Sequence, residues 1–254
     1  MANIIACNLG SYRQFRAGAY RHLAQIGLTN VEIGVPAPGD VDKVLAELKS
    51  HGLKATSVLG QCKVQEASVV AGFQPQLEAA NKMGVKVVFI SVHAGDHNRD
   101  EVYGRLRQIG DNAAKFGIKV CVETHPDLAQ NGEVALETMK AVNHPNVRIN
   151  FDTGNVYFYN HNVTAVSELK KILNYVSAVH LKDTNGGYRT WNFPALGEGV
   201  VDFKAVFQML NDAGFNGPFT MELEGIEGEK LDEAGVQARV KKSVDHLKSI
   251  GVME

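Results

Sequence analysis

Short apolar runs alternate with helical stretches along the whole chain, and that alternation is the strongest signal in the sequence. Runs at 3–8 (NIIACN), 30–35 (NVEIGV), 54–59 (KATSVL), 86–92 (KVVFISV), 118–123 (IKVCVE), 147–152 (VRINFD), 176–181 (VSAVHL) and 218–223 (PFTMEL) are rich in Val, Ile and Phe. They are too short for helices and read as strands. Most are nearly continuous in apolar residues, which suits parallel strands covered on both faces.

The stretches between them have helical character. VDKVLAELKSHG follows Asp40, a good N-cap, and stops at Gly52. PQLEAANKMG stops at Gly84, RLRQIGDNAAKFG at Gly117 and VDFKAVFQMLNDAG at Gly214. A strand follows at once in KMG-VKV and KFG-IKV, which is the short αβ loop of βα units. Eight strands alternating with helices predict an α/β fold, a single (β/α)₈ TIM barrel over residues 1–254. The rival open doubly wound sheet usually shows a GxGxxG turn after its first strand, and here that turn is NLGSYRQF.

Length agrees, since 254 residues is normal for such a barrel. Hydrophobic residues make up 44% and charged residues 21%, an ordinary globular balance. The net charge of −2 provides no basic field for nucleic acid or anionic lipid. No apolar run approaches the ~18 residues of a membrane span, and the amino terminus reads as a first strand, not a signal peptide. Cys7, Cys62 and Cys121 lack CxxC spacing and predict reduced, mostly buried thiols in a cytoplasmic protein.

Catalytic groups of such barrels project from the carboxyl ends of the strands. Strand five ends in Glu123 (VETHPD), strand six in Asp152 (NFDTGN), strand seven carries His180 (VHLKD) and strand eight Glu222 (TMELEG). Any one of these has an ordinary explanation as a solvated or capping residue. Together, carboxylates set into apolar strands are costly unless paired or metal-bound. Three carboxylates and one imidazole are a hard, oxygen-rich set, which places Mn²⁺ first, with Mg²⁺, Co²⁺, Zn²⁺ and Fe²⁺ as alternatives. A closed structural zinc site would use cysteines.

VETHPD, FDTGN, VHLKD, the GEG-VDF loop and GFNGPFTMELEG resemble the xylose-isomerase-like sugar isomerase/epimerase barrels. That superfamily includes ketose 3-epimerases, hydroxypyruvate isomerase, inosose-handling enzymes and the endonuclease IV branch. The resemblance implies that Glu123, Asp152, His180 and Glu222 hold one divalent metal, and that Glu123 and Glu222 are also the acid/base pair. It implies a small sugar or polyol-derived substrate, a polyhydroxy ketone or aldehyde. A proton leaves the carbon next to the carbonyl, and the metal stabilises the enediolate. Many such barrels oligomerise, so a homo-oligomer, dimer or tetramer, stays open, although no heptad or exposed apolar helix marks an interface.

The chain departs from the ketose 3-epimerase pattern at two places. Asn155 stands where those enzymes usually carry a histidine, and Ala129 where they place a second glutamate. His125, in VETHPD, offers a different group that can contact a substrate oxygen or act as an extra acid. Further candidates on the substrate side are His93 at the end of strand four, Glu32 in strand two, and Lys182, two residues after His180. Arg189 and Trp191 lie in the long irregular stretch 183–200, which follows strand seven. His22, His51, His144 and His161 read as surface residues.

A lyase or dehydratase acting on a keto-sugar, inosose or keto acid shares the first proton abstraction and is the rival enzymatic reading. Abasic-site DNA cleavage needs more histidines and a cationic surface, which this chain lacks. A non-catalytic carbohydrate-binding barrel is the remaining class, and the intact ligand positions argue against it.

Overall fold

A computed structural model describes residues 2–253. Eight parallel strands close into a barrel: β1 (Ile4–Asn8), β2 (Asn30–Gly34), β3 (Lys54–Leu59), β4 (Val87–Ile90), β5 (Lys119–Glu123), β6 (Val147–Asp152), β7 (Val176–Leu181) and β8 (Pro218–Met221). Each pairs with its neighbour in sequence, and β8 closes the ring on β1 through Ile4–Pro218 and Cys7–Met221. All eight predicted runs are strands, most of them trimmed by one to three residues. The eighth ends at Met221, and the Glu222 amide still reaches Leu181 O at 3.0 Å, so the ladder delivers Glu222 to the rim.

The helices are α1 (Arg16–Gln25), α2 (Val41–Ser50), α3 (Val69–Lys82), α4 (Arg99–Ala114), α5 (Gly132–Val142), α6 (Asn155–Tyr159), α7 (Ala165–Ile172), α8 (Phe203–Asp212) and α9 (Glu233–Ser249). The predicted glycine stops at 52, 84, 117 and 214 all have left-handed φ, between 64° and 74°. One expected cap is not made, and two helices start well before the expected position. Asp40 makes no capping bond, because Pro38 opens a 3₁₀ turn and the chain is already near helical angles at Asp40. Helix α3 begins six residues before Pro75, since burial of Val69 and Phe73 overrides the proline signal. Helix α4 begins at Arg99, where the Asn98 side chain accepts from the Asp100 and Glu101 amides.

Strand alternation divides the interior into two unequal parts. Val87, Phe89, Cys121 and Ala178, with Leu59, form a small cluster of their own. The large cluster packs the opposite strand faces against the helices. Polar side chains occupy the inward positions above the small cluster, and that is where the chemistry collects. Cys7 and Cys121 are buried, Cys62 is half-buried, and all three are free thiols pushed up to about 12 by burial. No helix among the described residues is long and apolar enough to cross a membrane. The surface expectation fails at His22, which is buried with Nδ1 2.6 Å from Tyr12 Oη, and His144 is half-buried beside Asp111.

Candidate metal centre

Inward residues at the carboxyl ends of β5, β6, β7 and β8 converge. Glu123, Asp152, His180 and Glu222 each offer one ligand atom, and those atoms all lie within 4.8 Å of one another. Register explains the convergence, for Asp152 pairs with His180 across β6 and β7. His180 Nδ1 lies 3.1 Å from Glu123 Oε1, 3.2 Å from Glu222 Oε2 and 3.9 Å from Asp152 Oδ2. Its Nε2 faces away, 2.9 Å from Glu32 Oε1. Glu32 therefore fixes the imidazole so that Nδ1 is the atom presented to the three carboxylates.

A divalent cation fits this donor set. Asp152 uses Oδ1 to accept from the Gly154 and Asn155 amides, both at 2.8 Å, while its buried Oδ2 has no hydrogen-bond partner. Lys182 Nζ comes within 3.1 Å of that Oδ2 without hydrogen-bonding alignment. Three carboxylates around one imidazole nitrogen repel one another, and a cation offsets that repulsion. The set is hard and oxygen-rich, as a catalytic rather than a structural divalent site requires.

Proton affinities show how strongly these groups are coupled. Burial and the Glu222 charge push Glu123 up, but hydrogen bonds from His125 and His180 outweigh both and hold it at about 2. Burial pushes Asp152 up to about 6 against the pull of Lys182. Burial also opposes charge on His180 and Lys182, yet the surrounding carboxylates, Glu32 first for His180 and Asp152 first for Lys182, raise both well above their usual values. Burial pushes Glu222 up, and Lys182 and His180 together drag it well below the carboxylate range.

The other expected site residues fall into three groups. Lys182, His125 and Asn155 join the cluster. Lys182 is buried, with Nζ 2.9 Å from Glu222 Oε2, 2.7 Å from Glu224 Oε2 and 3.1 Å from Asn155 Oδ1. His125 is half-exposed, with Nε2 3.3 Å from Glu123 Oε2 and Nδ1 2.8 Å from Tyr159 Oη. Asn155 Nδ2 lies 3.3 Å from His125 Nε2, so these two occupy one corner together. Glu32 is buried behind His180, held by Ser57 Oγ at 2.5 Å and Asn8 Nδ2 at 2.8 Å; it meets the histidine instead of open space. His93, Arg189 and Trp191 are exposed and touch none of the four converging side chains at hydrogen-bond distance. Ala129 is packed in the core.

Sequence reasoning missed Glu224, Tyr159 and Asp183. Glu224 follows Glu222 by two, and strand spacing alone places both on one side. Asp183 is a buried hub: Oδ1 accepts from the Thr184 and Val201 amides at 2.9 and 3.2 Å, Oδ2 from Gly197 and Gly199 at 2.8 and 2.9 Å. It folds the long loop after β7 back over the rim. A cavity of about 430 Å³ at the amino-terminal end of the barrel is lined by residues such as Asn3, Leu28, Asn30 and Asn211, with no titratable side chain among them.

Known proteins share this barrel and parts of this sequence. An inosose dehydratase from Klebsiella pneumoniae is 24% identical over 253 residues, covering 85% of this chain and 84% of that protein. A ketose 3-epimerase from Arthrobacter globiformis is 28% identical over 215 residues, covering 74% of this chain and 69% of that one. The solved structure of a xylose isomerase domain protein from Alicyclobacillus acidocaldarius superposes with a TM-score of 0.80 at 15% identity, covering 98% of both chains. Residues 20–250 match the family described as the xylose isomerase-like TIM barrel, and the chain belongs to that family.

Proposed function

We propose that this chain is a divalent-metal-dependent isomerase or epimerase acting on a small polyhydroxy ketone or aldehyde. Glu123, Asp152, His180 Nδ1 and Glu222 would hold the ion, with Mn²⁺ the first choice for this oxygen-rich set. The bound ion supplies Lewis acidity to a carbonyl and its neighbouring hydroxyl. The observation that carries the reading is the placement of two glutamates, from β5 and from the end of β8, on the same imidazole nitrogen.

The two glutamates differ in what they leave free. Glu123 has both oxygens engaged, Oε1 by His180 and Oε2 by His125. Glu222 engages only Oε2, with His180 and Lys182, and its side chain is 18% exposed. Glu222 Oε1 is therefore the atom that takes the proton from carbon. Lys182 holds the glutamate in place through the other oxygen. On the other side the returned proton comes from the His125 imidazolium, which Glu123 Oε2 favours and shares, so that His125 gives up the proton and Glu123 relays it to carbon. A proton passed to His125 has Tyr159 as its next partner, since Oη sits on Nδ1 at 2.8 Å.

The His125–Tyr159 pair also favours a second reading, a dehydratase or lyase on a keto-sugar, inosose or keto acid. Elimination of a hydroxyl needs an acid for the leaving group in addition to the base on carbon, and His125 beside Glu123 supplies a third proton-handling group. The inosose dehydratases among the relatives support it.

Incubation with Mn²⁺ and a panel of ketoses, aldoses and inososes in D₂O tests both readings. Deuterium at carbon next to the carbonyl with no loss of water from the product supports the isomerase or epimerase. Loss of water from the product selects the dehydratase. Absence of exchange and turnover across the panel defeats the shared first step.

A further inference from the structure

Large apolar side chains exposed on this molecule concentrate on one loop. Tyr188 (39% exposed), Trp191 (41%) and Val200 (54%) all lie between β7 and α8. Singly exposed apolar residues are ordinary, but three of them on one pinned loop at the carboxyl end of the barrel are less so. Asp183 clamps this loop, a two-stranded ladder pairs Asn192–Phe193 with Gly225–Ile226, and the Arg189 amide donates to Phe158 O at 2.9 Å.

Trp191 is braced as a platform and connects by packing to the metal centre. Trp191 stands edge-to-face on Phe193 and Phe158, with centroids 5.2 and 5.9 Å apart and planes at 80° and 86°. These contacts brace the indole and leave much of it in solvent. Phe193 lies 5.1 Å from Lys182 Nζ, which touches Glu222, and Phe158 is followed by Tyr159, which touches His125 and through it Glu123. Buried Phe193 and half-buried Phe158 therefore connect Trp191 by packing to the neighbours of both glutamates. A small open-chain sugar held at the glutamates has no use for an indole beyond those two rings. A ring does: its apolar face gains area and stacking against the indole.

We propose that Trp191, braced by Phe158 and Phe193, is a subsite for a second ring carried by the substrate beyond its reacting carbons, so that the polyhydroxy ketone or aldehyde taken at the glutamates bears a glycoside-like ring substituent. This rests on the reading of Glu123 and Glu222 as the reacting end, and it names what extends from that end. A sugar ring and an aromatic ring share the flat apolar face the indole recognises.

Trp191 is the chain's one tryptophan, so intrinsic emission reports this position alone. Full-length protein with Mn²⁺ is titrated with methyl β-D-glucopyranoside, phenyl β-D-glucopyranoside and cellobiose. The expected result is a shift or quenching of Trp191 emission by phenyl glucoside or cellobiose, with about tenfold tighter binding than methyl glucoside. Whichever of the two binds tighter identifies the ring as aromatic or sugar. By calorimetry, Trp191→Ala abolishes the preference over methyl glucoside and Trp191→Phe retains part of it. If a variant does not fold, the comparison of ligands on the natural protein decides alone. Equal binding of all three, silence of Trp191 emission, or emission that responds only to protein dilution, as when a second copy covers the ring, overturns the proposal. None of these outcomes touches the deuterium exchange test, so failure of the subsite and failure of the proposed reaction are separable.

Discussion

Replacing Asp183 with Asn isolates the contribution of the loop clamp from that of the metal centre. The carboxylate accepts four backbone N–H groups at 2.8–3.2 Å, two on each oxygen. An amide of the same shape keeps one acceptor and turns the other into a donor facing two N–H groups. Two bonds to a charged acceptor are lost, each worth about 1.5–3 kcal/mol, or about 3–6 kcal/mol together. Because these donors belong to the loop, the strain is relieved by local opening, and the barrel stays folded. Hydrogen exchange at the Thr184, Gly197, Gly199 and Val201 amides is the assay. Protection there should fall by roughly a hundredfold to ten-thousandfold, while Val122 in β5 keeps its protection. Acrylamide should quench Trp191 more strongly in the variant. Unchanged exchange at Gly197 and Gly199 would refute the hub, and equal loss across the barrel strands would refute the claim that the loop opens by itself.

Three further outcomes are expected. Glu32→Ala frees Nε2 of His180 and should weaken Mn²⁺ binding by about 10–100-fold in a calorimetric titration; unchanged affinity would show that Glu32 does not orient the imidazole. Lys182→Met leaves Asp152, Glu222 and Glu224 facing one another without their cation, so the metal-free protein should lose about 3–5 kcal/mol in urea unfolding, and Mn²⁺ should restore part of it. A fully stable metal-free variant would contradict this. His22 is held below its usual value of 6.5 by burial, so the unfolded chain binds that proton first as the pH falls. Its contribution to stability is thus complete above about 6.5 and is lost as the pH drops through the depressed folded value. The stability gap between wild type and His22→Gln should narrow from pH 7 to pH 5, and parallel curves would exclude His22 as the source.

Local patterns made much of this molecule legible. The eight strands follow from β-branched and apolar runs bounded by glycine stops, and those signals need no knowledge of distant parts of the chain. Glu123, Asp152, His180 and Glu222 were readable because the barrel rule turns strand ends into neighbours. Pairings across the barrel were not readable. Glu32 and His180 are 148 residues apart, and only closure of β1 through β8 brings them together. The strand pattern at Glu32 marks it as inward-facing but is silent on whether it meets a histidine or open space. His22 looked like a surface residue of a helix with a weak apolar face; Tyr12, in the turn after β1, is what buries it. Helix starts were less legible than stops, since a positive-φ glycine is a single-residue signal, whereas α3 starts where Val69 and Phe73 find the core.

The central claim is that four side chains from adjacent strands close on a single cation. Anomalous scattering from a crystal soaked in Mn²⁺ tests it most directly. The account predicts one strong peak about 2.0–2.3 Å from Glu123, Asp152, His180 Nδ1 and Glu222, with Nε2 of His180 still on Glu32. A peak held by other residues, or no peak while His180 keeps its bonds to Glu123 and Glu222, would contradict it.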